Sequence, residues 1–170
     1  MGDKYIKPYL DASVFIAWLR GEVIDTVDRA KIVEHILGDA QNGEHQIIIS
    51  ALTFAEVHKV KGDGKPHLTV AEDEKILAFF EHDFFAVVEV DRSIGEDANR
   101  FCREFNIKPN DAIHLACALR AKCDVLLAWD RPLLLGVAHS AIRLEEPTLK
   151  GQSSIFDNLP RETPPPEDAE

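Results

Sequence analysis

The sequence predicts an α/β protein in which short strands form a parallel sheet covered by helices on both faces. Strand and helix patterns alternate along the chain, as they do in folds built from βαβ units. The run HQIIIS at residues 45–50 is short and β-branched, which is typical of a strand buried within a parallel sheet. No internal repeat or linker interrupts the alternation, so 170 residues are expected to form one domain.

The amino-terminal part contains a strand followed by two helices. Tyr9 and Leu10 end a short apolar strand, and residues 13–19 have the pattern of a helix. A second helix is predicted over residues 27–40, where apolar residues recur at helical spacing before the Asn42-Gly43 breaker. This first strand and its helices start the βα alternation.

The middle of the chain begins with the strand at residues 45–50. Ser50 is expected to cap a helix from residue 52 to about residue 61, where a loop with two glycines and a proline follows. Thr69 and Ser93 each precede a Glu by three residues, which is the spacing of a capping box. Helices are therefore expected to begin directly after both of them.

The remaining elements complete a set of five strands. They are the strand FFAVVEV at residues 84–90, a helix from Asp111, the strand DVLLAW ending at Trp129, and a last strand over residues 141–144. Crossovers between parallel strands are right-handed by default, so the helices should cover both faces of the sheet. Periodicity does not predict the order of the strands.

The acidic composition limits the partners of the chain. Its 19 Lys and Arg face 30 Asp and Glu, a net charge of −11 that disfavours nucleic-acid binding by phosphate neutralisation alone. The excess is less unfavourable if several acids surround divalent cations. No apolar run is long enough to span a bilayer, and MGDKYIKPYL lacks a signal-peptide core, so we expect a cytoplasmic protein without a membrane partner. The three cysteines lack the spacing of a zinc site or disulfide scaffold and are expected to be reduced.

The folded domain is expected to cover residues 1–146, followed by a carboxy-terminal extension over residues 147–170. The last ten residues, RETPPPEDAE, combine prolines with acids and cannot form a core. A disordered tail is therefore predicted from about residue 160.

Four acidic residues are predicted at one edge of the sheet. Asp11 follows the first strand, Glu56 lies in the helix after the second, Asp111 opens the apolar helix, and Asp130 follows DVLLAW. Binding crevices in open α/β sheets lie beyond the carboxyl ends of the strands. We therefore expect these carboxylates to face one crevice.

Each acid alone has a simpler structural interpretation. Asp11 and Asp111 could cap helices, which stabilises by about 0.5–2 kcal/mol, Asp130 could initiate a turn, and Glu56 could face solvent. Together they favour a binding site, because clustered carboxylates repel one another unless a cation joins them. Mg²⁺ or Mn²⁺ is the expected cofactor, since both prefer oxygen ligands. Such an ion activates water and orients a phosphate, which suits phosphodiester hydrolysis.

The stretches YLDASVFIAWL, SALTFAEV, NDAIHLACAL and DVLLAWD resemble, in order and separation, the PIN domains, whose commonest members are VapC-type toxin ribonucleases. The resemblance extends from about Tyr5 to Leu144. It implies a three-layer α/β/α sandwich with a central parallel sheet of about five strands. It also implies metal-dependent endonucleolytic cleavage of RNA.

The resemblance also implies roles for the four acids. Asp11, Glu56 and Asp111 match the three principal metal-binding acids of the family, and Asp130 matches a more variable fourth. Relatives often have Thr or Ser two residues before that last acid, where this chain has Ala128. This departure makes the contribution of Asp130 the least secure of the four.

Several other side chains are secondary candidates. Ser13 resembles a position whose hydroxyl can assist the metal site, although helix capping explains it equally well. His114 could reach the crevice, but a lone His on an apolar helix is more often a core residue. Trp18 and Trp129 are expected to pack, although Trp129 could instead stack on a base. The basic residues that could guide RNA are Arg20, Lys59, Lys61, Lys65, Arg100 and Arg103, of which Lys59 and Lys61 are favoured.

The partners implied by the resemblance are an RNA substrate, an antitoxin that places a basic tail or an Arg among the carboxylates, and a second copy of the chain. A noncatalytic RNA- or protein-binding module is an alternative, because Ala128 and the net charge are unfavourable for catalysis on RNA. A Mg²⁺-dependent phosphatase is another, since an Asp after the first strand also begins phosphoaspartyl sites. Those sites usually have a second Asp nearby, whereas Asp11 is followed by Ala12 and Ser13.

Overall fold

The computed structural model describes residues 7–60, 67–139 and 141–149. Its strands are β1 (Pro8–Leu10), β2 (Val23–Ile24), β3 (Val27–Asp28), β4 (Ile47–Ser50), β5 (Phe85–Val88), β6 (Val125–Leu127) and β7 (Arg143–Glu145). Its helices are α1 (Ala12–Leu19), α2 (Arg29–Gln41), α3 (Ala51–Glu56), α4 (Val70–Phe79), α5 (Arg92–Phe105), α6 (Pro109–Arg120) and α7 (Arg131–Gly136), with a 3₁₀ turn at Val57–Lys59. The predicted alternation of strands and helices is confirmed.

Five of the strands form one parallel sheet in the order β5-β4-β1-β6-β7. The first strand in sequence therefore lies at the centre. In the register of its two neighbours, Tyr9 pairs with Ile48 of β4 and Leu10 pairs with Leu127 of β6. The carboxyl ends of β4, β1 and β6 consequently meet at the middle of one sheet edge.

Helices cover both faces of the sheet. Successive residues of a strand point to opposite faces, so neighbouring residues of β1 pack against different helices. Tyr9 packs in a core with residues of α5, α6 and α7, whereas Leu10 packs in a second core with residues of α1, α2 and α4. Helix α6 has more buried residues than any other described helix, and they are Ala112, His114, Leu115, Ala116, Cys117 and Ala118. The fold is a three-layer α/β/α sandwich, as predicted.

The second helix starts later than the sequence indicated. Val27 was expected to begin it, but Val27 pairs with Ile24 in an antiparallel ribbon of β2 and β3, and α2 begins at Arg29. The ribbon turns at Asp25 and Thr26, which both have positive φ. Two-residue strands carry too little periodicity to be recognised in the sequence.

Two predicted helix caps are corrected by the structure. Ser50 precedes α3 without a side-chain capping bond. Asp91 caps α5 by accepting from the backbone N–H of Ile94, while Ser93 lies inside the helix and accepts from Arg120. The capping box that begins at Thr69 is confirmed.

Two further boundaries differ from the sequence prediction. Helix α6 begins at Pro109 rather than Asp111, because proline suits the first position of a helix. Helix α3 ends at Glu56, earlier than predicted, and continues as a 3₁₀ turn. The expected tail from about residue 160 lies outside the described residues.

None of the helices in the described ranges combines the length and apolar character needed to cross a membrane. Cys102, Cys117 and Cys123 are free thiols, and burial raises the pKa of Cys117 to about 12. Cys117 is fully buried in α6, as expected of a core residue.

Candidate active site at the carboxyl edge of the sheet

Asp11 lies where the central strand ends. Its backbone N–H donates to the carbonyl of Leu127 at 3.0 Å, so the chain leaves β1 while still bonded to β6. Its Oδ2 accepts from the backbone N–H of Ser13 at 2.9 Å and caps α1. The carboxylate is nevertheless buried, at 5% exposure, so capping explains one of its oxygens and leaves Oδ1 facing the crevice residues.

Asp130 lies at the end of the neighbouring strand and caps α7 by accepting from the backbone N–H of Leu133 at 3.3 Å. The backbone N–H of Trp129 donates to Oγ of Ser13 at 3.1 Å. This bond joins the turn that carries Asp11 to the turn that carries Asp130. Ser13 therefore connects the two acid-bearing turns.

Glu56 is the last residue of α3 and is 8% exposed. Its Oε2 lies 2.6 Å from Nε2 of His114, and its Oε1 accepts from Nδ2 of Asn110 at 2.9 Å and from Nζ of Lys59 at 3.3 Å. Burial by itself would raise the pKa of Glu56. The hydrogen bond and positive charge of His114 and the hydrogen bond of Asn110 outweigh burial and lower this pKa to about 2.

Asp111 is half-buried in the first turn of α6. Burial, together with the negative charges of Asp130 and Asp11, raises its pKa to about 6. Asp111 therefore lies within electrostatic range of two other candidate acids. Three carboxylates from the ends of β1 and β6 and the start of α6 thus share one charge-rich region.

His114 occupies the centre of the site, one turn along α6 from Asp111, and is 1% exposed. Its Nε2, which bonds Glu56, also lies 3.3 Å from Oδ1 of Asp11. Burial alone would lower the pKa of His114, but the charge of Asp11 and the hydrogen bond and charge of Glu56 raise it. His114 is indeed a buried residue, yet its polar atoms belong to the acid site.

The structure therefore brings the four acids together in two linked groups. Asp11 and Glu56 approach the same nitrogen of His114, and the negative charges of Asp11 and Asp130 raise the pKa of Asp111. Within residues 7–60, 67–139 and 141–149, however, no three His, Cys, Asp or Glu side chains are gathered closely enough to hold a metal ion. An ion would have to draw the carboxylates closer together.

The chemistry of these donors suits a hard divalent cation. The available atoms are carboxylate oxygens, and the charges of Asp130 and Asp11 add to burial in raising the pKa of Asp111, a repulsion that a cation would relieve. Asp11, Asp111 and Asp130 could supply oxygens once the ion draws them together. Glu56 would have to exchange at least one of its present hydrogen bonds for a metal bond.

The basic candidates divide into two groups. Lys59 contacts Glu56, and the guanidinium of Arg20 donates to the carbonyl of Lys59 at 2.8 Å, so Lys59 lies beside an acid and Arg20 lies next to Lys59. Arg100 pairs with Asp97 and Arg103 with Asn99 along α5. Lys61 and Lys65 lie outside the described residues.

Sequence reasoning missed Asn110 and the contact between Arg29 and Trp129. The position of Asn110 directly before Asp111 was the signal available for it. Trp129 is 9% exposed, and the guanidinium of Arg29 lies 4.4 Å from its ring centroid. Trp129 therefore packs in the core, and little of its ring is accessible for stacking on a base.

Comparisons with known proteins agree with this fold. A family model described as PIN domain matches residues 9–133. A solved toxin–antitoxin complex from Klebsiella pneumoniae contains a chain that is 17% identical with a TM-score of 0.60, over 84% of this chain and 98% of that chain. The protein PAE2754 from Pyrobaculum aerophilum is 18% identical with a TM-score of 0.51, over 84% of this chain and 92% of that chain. A comparison with curated proteins found no match. The family model spans most of the sequence and the central strands that carry the acids, and the chain belongs to the PIN domain family.

Proposed function

We propose that the protein is a metal-dependent endoribonuclease whose cofactor, Mg²⁺ or Mn²⁺, is held by Asp11, Glu56 and Asp111 with support from Asp130. PIN domains are generally nucleases that use divalent metal ions. The observation that carries the proposal is the charge shared at Asp111, whose pKa is raised to about 6 by burial and by Asp130 and Asp11. Such repulsion is unfavourable without a cation and favourable for holding one.

A divalent ion in this position would lower the pKa of a water molecule and offset negative charge on a phosphodiester. The protein side chains have separate tasks. Asp11, which caps α1 with one oxygen, presents its second oxygen to the crevice. Lys59 is half-exposed beside Glu56 and, with Arg20, is placed to contact a phosphate of the RNA backbone.

The direct test is cleavage of a mixed RNA pool in Mn²⁺ by the wild type and by Asp111→Asn. We expect the substitution to abolish cleavage, because it removes one charged oxygen ligand without changing the size of the side chain. Glu104→Gln is the matched control, since Glu104 is an exposed acid on α5 outside the site. Equal cleavage by wild type and Asp111→Asn would identify a contaminating nuclease and contradict the proposal.

We further propose that the enzyme acts in the cytoplasm as the toxin of a type II toxin–antitoxin pair. The structural neighbour from Klebsiella pneumoniae, which belongs to a toxin–antitoxin complex, supports this role. A surface with a net charge of −11 suits a partner that inserts a basic side chain among the carboxylates. Growth arrest on expression should disappear with Asp11→Asn and be relieved by a small basic protein encoded beside the gene. Arrest that persists with Asp11→Asn would argue against RNA cleavage as its cause.

A noncatalytic RNA- or protein-binding module is the second candidate. It is favoured by the hydrogen bonds that engage both oxygens of Glu56 and by the spacing of the acids in the described residues. Calorimetric titration of the protein with Mn²⁺ separates the two candidates. Heat of binding that is lost in Asp111→Asn supports the nuclease, whereas no binding by wild type together with retained RNA binding supports the module.

A further inference from the structure

A buried polar cluster lies directly behind the acids, and the proposed function does not involve it. The hydroxyl of Tyr9 lies 2.7 Å from Nδ1 of His114, and Oγ of Ser50 lies 3.5 Å from the same atom. Tyr9 and Ser50 are both 0% exposed. They come from β1 and the end of β4, so two central strands supply hydroxyls to one ring nitrogen of a helix residue.

The opposite nitrogen of the same ring faces the acids. Nε2 lies 2.6 Å from Oε2 of Glu56 and 3.3 Å from Oδ1 of Asp11. Glu56 accepts from Nε2–H, and the Tyr9 hydroxyl satisfies Nδ1 in either protonation state of the ring, since it can donate to a neutral Nδ1 or accept from Nδ1–H.

The imidazole ring of His114 contacts Tyr9 and Glu56 at once only in this orientation, because a flipped ring would turn carbon atoms towards both partners. Its long axis runs from the hydroxyls of the sheet to the carboxylates at the crevice, and the Tyr9 ring packs edge-on against it at a centroid distance of 5.7 Å. A side chain that only filled the core at this position of α6 would need neither set of partners. The arrangement therefore couples the centre of the sheet to the orientation of two acids.

We propose that Tyr9, Ser50 and His114 form a positioning unit, in which the Tyr9 hydroxyl, supported by Ser50, orients the imidazole, and Nε2 holds the Glu56 and Asp11 carboxylates beside one another at the crevice, where a cation can recruit them. His114 is then a positioning residue for the reaction. The inference rests on the proposed function for its catalytic consequence. The hydrogen-bonded unit itself is a property of the protein without metal.

The main test compares three variants of the unit with one control. Tyr9→Phe removes one hydroxyl and keeps the ring, His114→Gln keeps an amide donor in place of Nε2–H, and His114→Leu removes both polar atoms. Ile94→Val is the control, because Ile94 is equally buried in the same core and belongs to α5. Thermal unfolding is measured for all four, so that effects are compared among folded proteins of similar stability.

We expect His114→Leu to lower kcat and Mn²⁺ affinity by about 10- to 100-fold, as loss of a side chain that orients metal ligands typically does. KM for RNA should stay nearly unchanged, because the unit does not contact substrate. Tyr9→Phe should show a smaller loss of the same two quantities, and His114→Gln should recover part of the loss. Values of kcat and Mn²⁺ affinity in His114→Leu equal to those of Ile94→Val would overturn the proposal.

A second measurement does not depend on metal or activity. In ¹⁵N-labelled protein with EDTA, the Nε2–H of His114 should give a proton resonance that exchanges slowly with water, and Tyr9→Phe should shift it. An unprotonated Nε2 would overturn the positioning unit in every case. If this resonance is present while the wild type neither binds Mn²⁺ nor cleaves RNA, the failure lies in the proposed function and the hydrogen-bonded unit stands.

Discussion

Not every acid of the site is favourable for stability when no cation is bound. Asp111 is the clearest example, because burial and the charges of Asp130 and Asp11 disfavour its ionised form. Its pKa in the folded protein, about 6, is above the ordinary value of 3.8. The native state therefore loses stability relative to the unfolded chain as the pH rises through the interval between these two values.

Replacing Asp111 by Asn should consequently stabilise the metal-free protein at pH 8. The side chain is half-buried, so solvent screening reduces the gain to about 1–2 kcal/mol of unfolding free energy. At pH 4 or below the carboxyl is largely protonated in the folded state, and the difference should shrink towards zero. Urea unfolding in EDTA at the two pH values measures it, and a variant less stable than wild type at pH 8 would contradict the electrostatic account.

Thr53 offers a test of a buried polar atom outside the acid cluster. It is fully buried in α3, and its Oγ1 has no hydrogen-bond partner among the described residues. An unpaired buried hydroxyl costs about 1–3 kcal/mol, and valine has almost the same shape. Thr53→Val should therefore leave the unfolding free energy unchanged or raise it by up to about 1 kcal/mol, as measured by urea unfolding. A clear loss of stability would show that the hydroxyl has a partner, such as a bound water.

Among the elements, the helices that follow the central strands position the site. The short helix α3 ends at Glu56, and α1 and α7 are capped by Asp11 and Asp130. In Asp11 and Asp130, capping and the proposed metal binding use the same carboxylate, which is why a simple structural interpretation of each was available from its sequence context. Only the second oxygen of each carboxylate is left for chemistry.

The ribbon of β2 and β3 contains backbone strain that a substitution should relieve. Thr26 has φ of 69°, a left-handed conformation that costs a β-branched residue about 1–2 kcal/mol. Thr26→Gly should raise the unfolding free energy by about 0.5–1 kcal/mol after the greater flexibility of unfolded glycine is included. Thr26→Ala is the control, because it keeps the Cβ atom that causes the strain. Thermal unfolding should rank Gly above Ala, and the reverse order would indicate a different turn.

At the scale of the whole molecule, the relevant property is the net negative charge. The chain has a net charge of −11, yet Lys59 and Arg20 are placed beside the acidic crevice. A cation bound among the four carboxylates would neutralise the repulsion between them that remains in the metal-free protein. Its effect should be visible in the stability of the entire domain.

Mn²⁺ should raise the unfolding temperature of the wild type. Ligand binding to the folded state at a concentration of 100 times Kd adds about 2.7 kcal/mol to the unfolding free energy. Asp111→Asn should be more stable than wild type in EDTA but gain little from Mn²⁺, because one ligand is missing. Differential scanning fluorimetry with and without EDTA measures both effects, and Glu104→Gln should respond as wild type does. A Mn²⁺ shift of the same size in Asp111→Asn would place the ion elsewhere.

The sequence by itself determined the α/β class, the strands near Tyr9 and Ile47, the capping box at Thr69, and the four acids as a candidate set. These features are local, since periodicity and capping depend on residues within a few positions of one another. The extent of each element was less certain for the same reason. Asp91 rather than Ser93 caps α5, and Val27 pairs with Ile24 in a ribbon instead of starting α2.

The tertiary structure alone decided the strand order and the environment of His114. His114 contacts Tyr9, Ser50, Glu56 and Asp11. These residues are 58 to 105 positions away in the chain, and no local sequence pattern encodes contacts over such separations. A histidine on an apolar helix has the same sequence signal whether it fills a core or holds two carboxylates. What distinguishes the two cases is the packing of β4, β1 and β6 against α6, because long-range packing sets which polar atoms share a buried space.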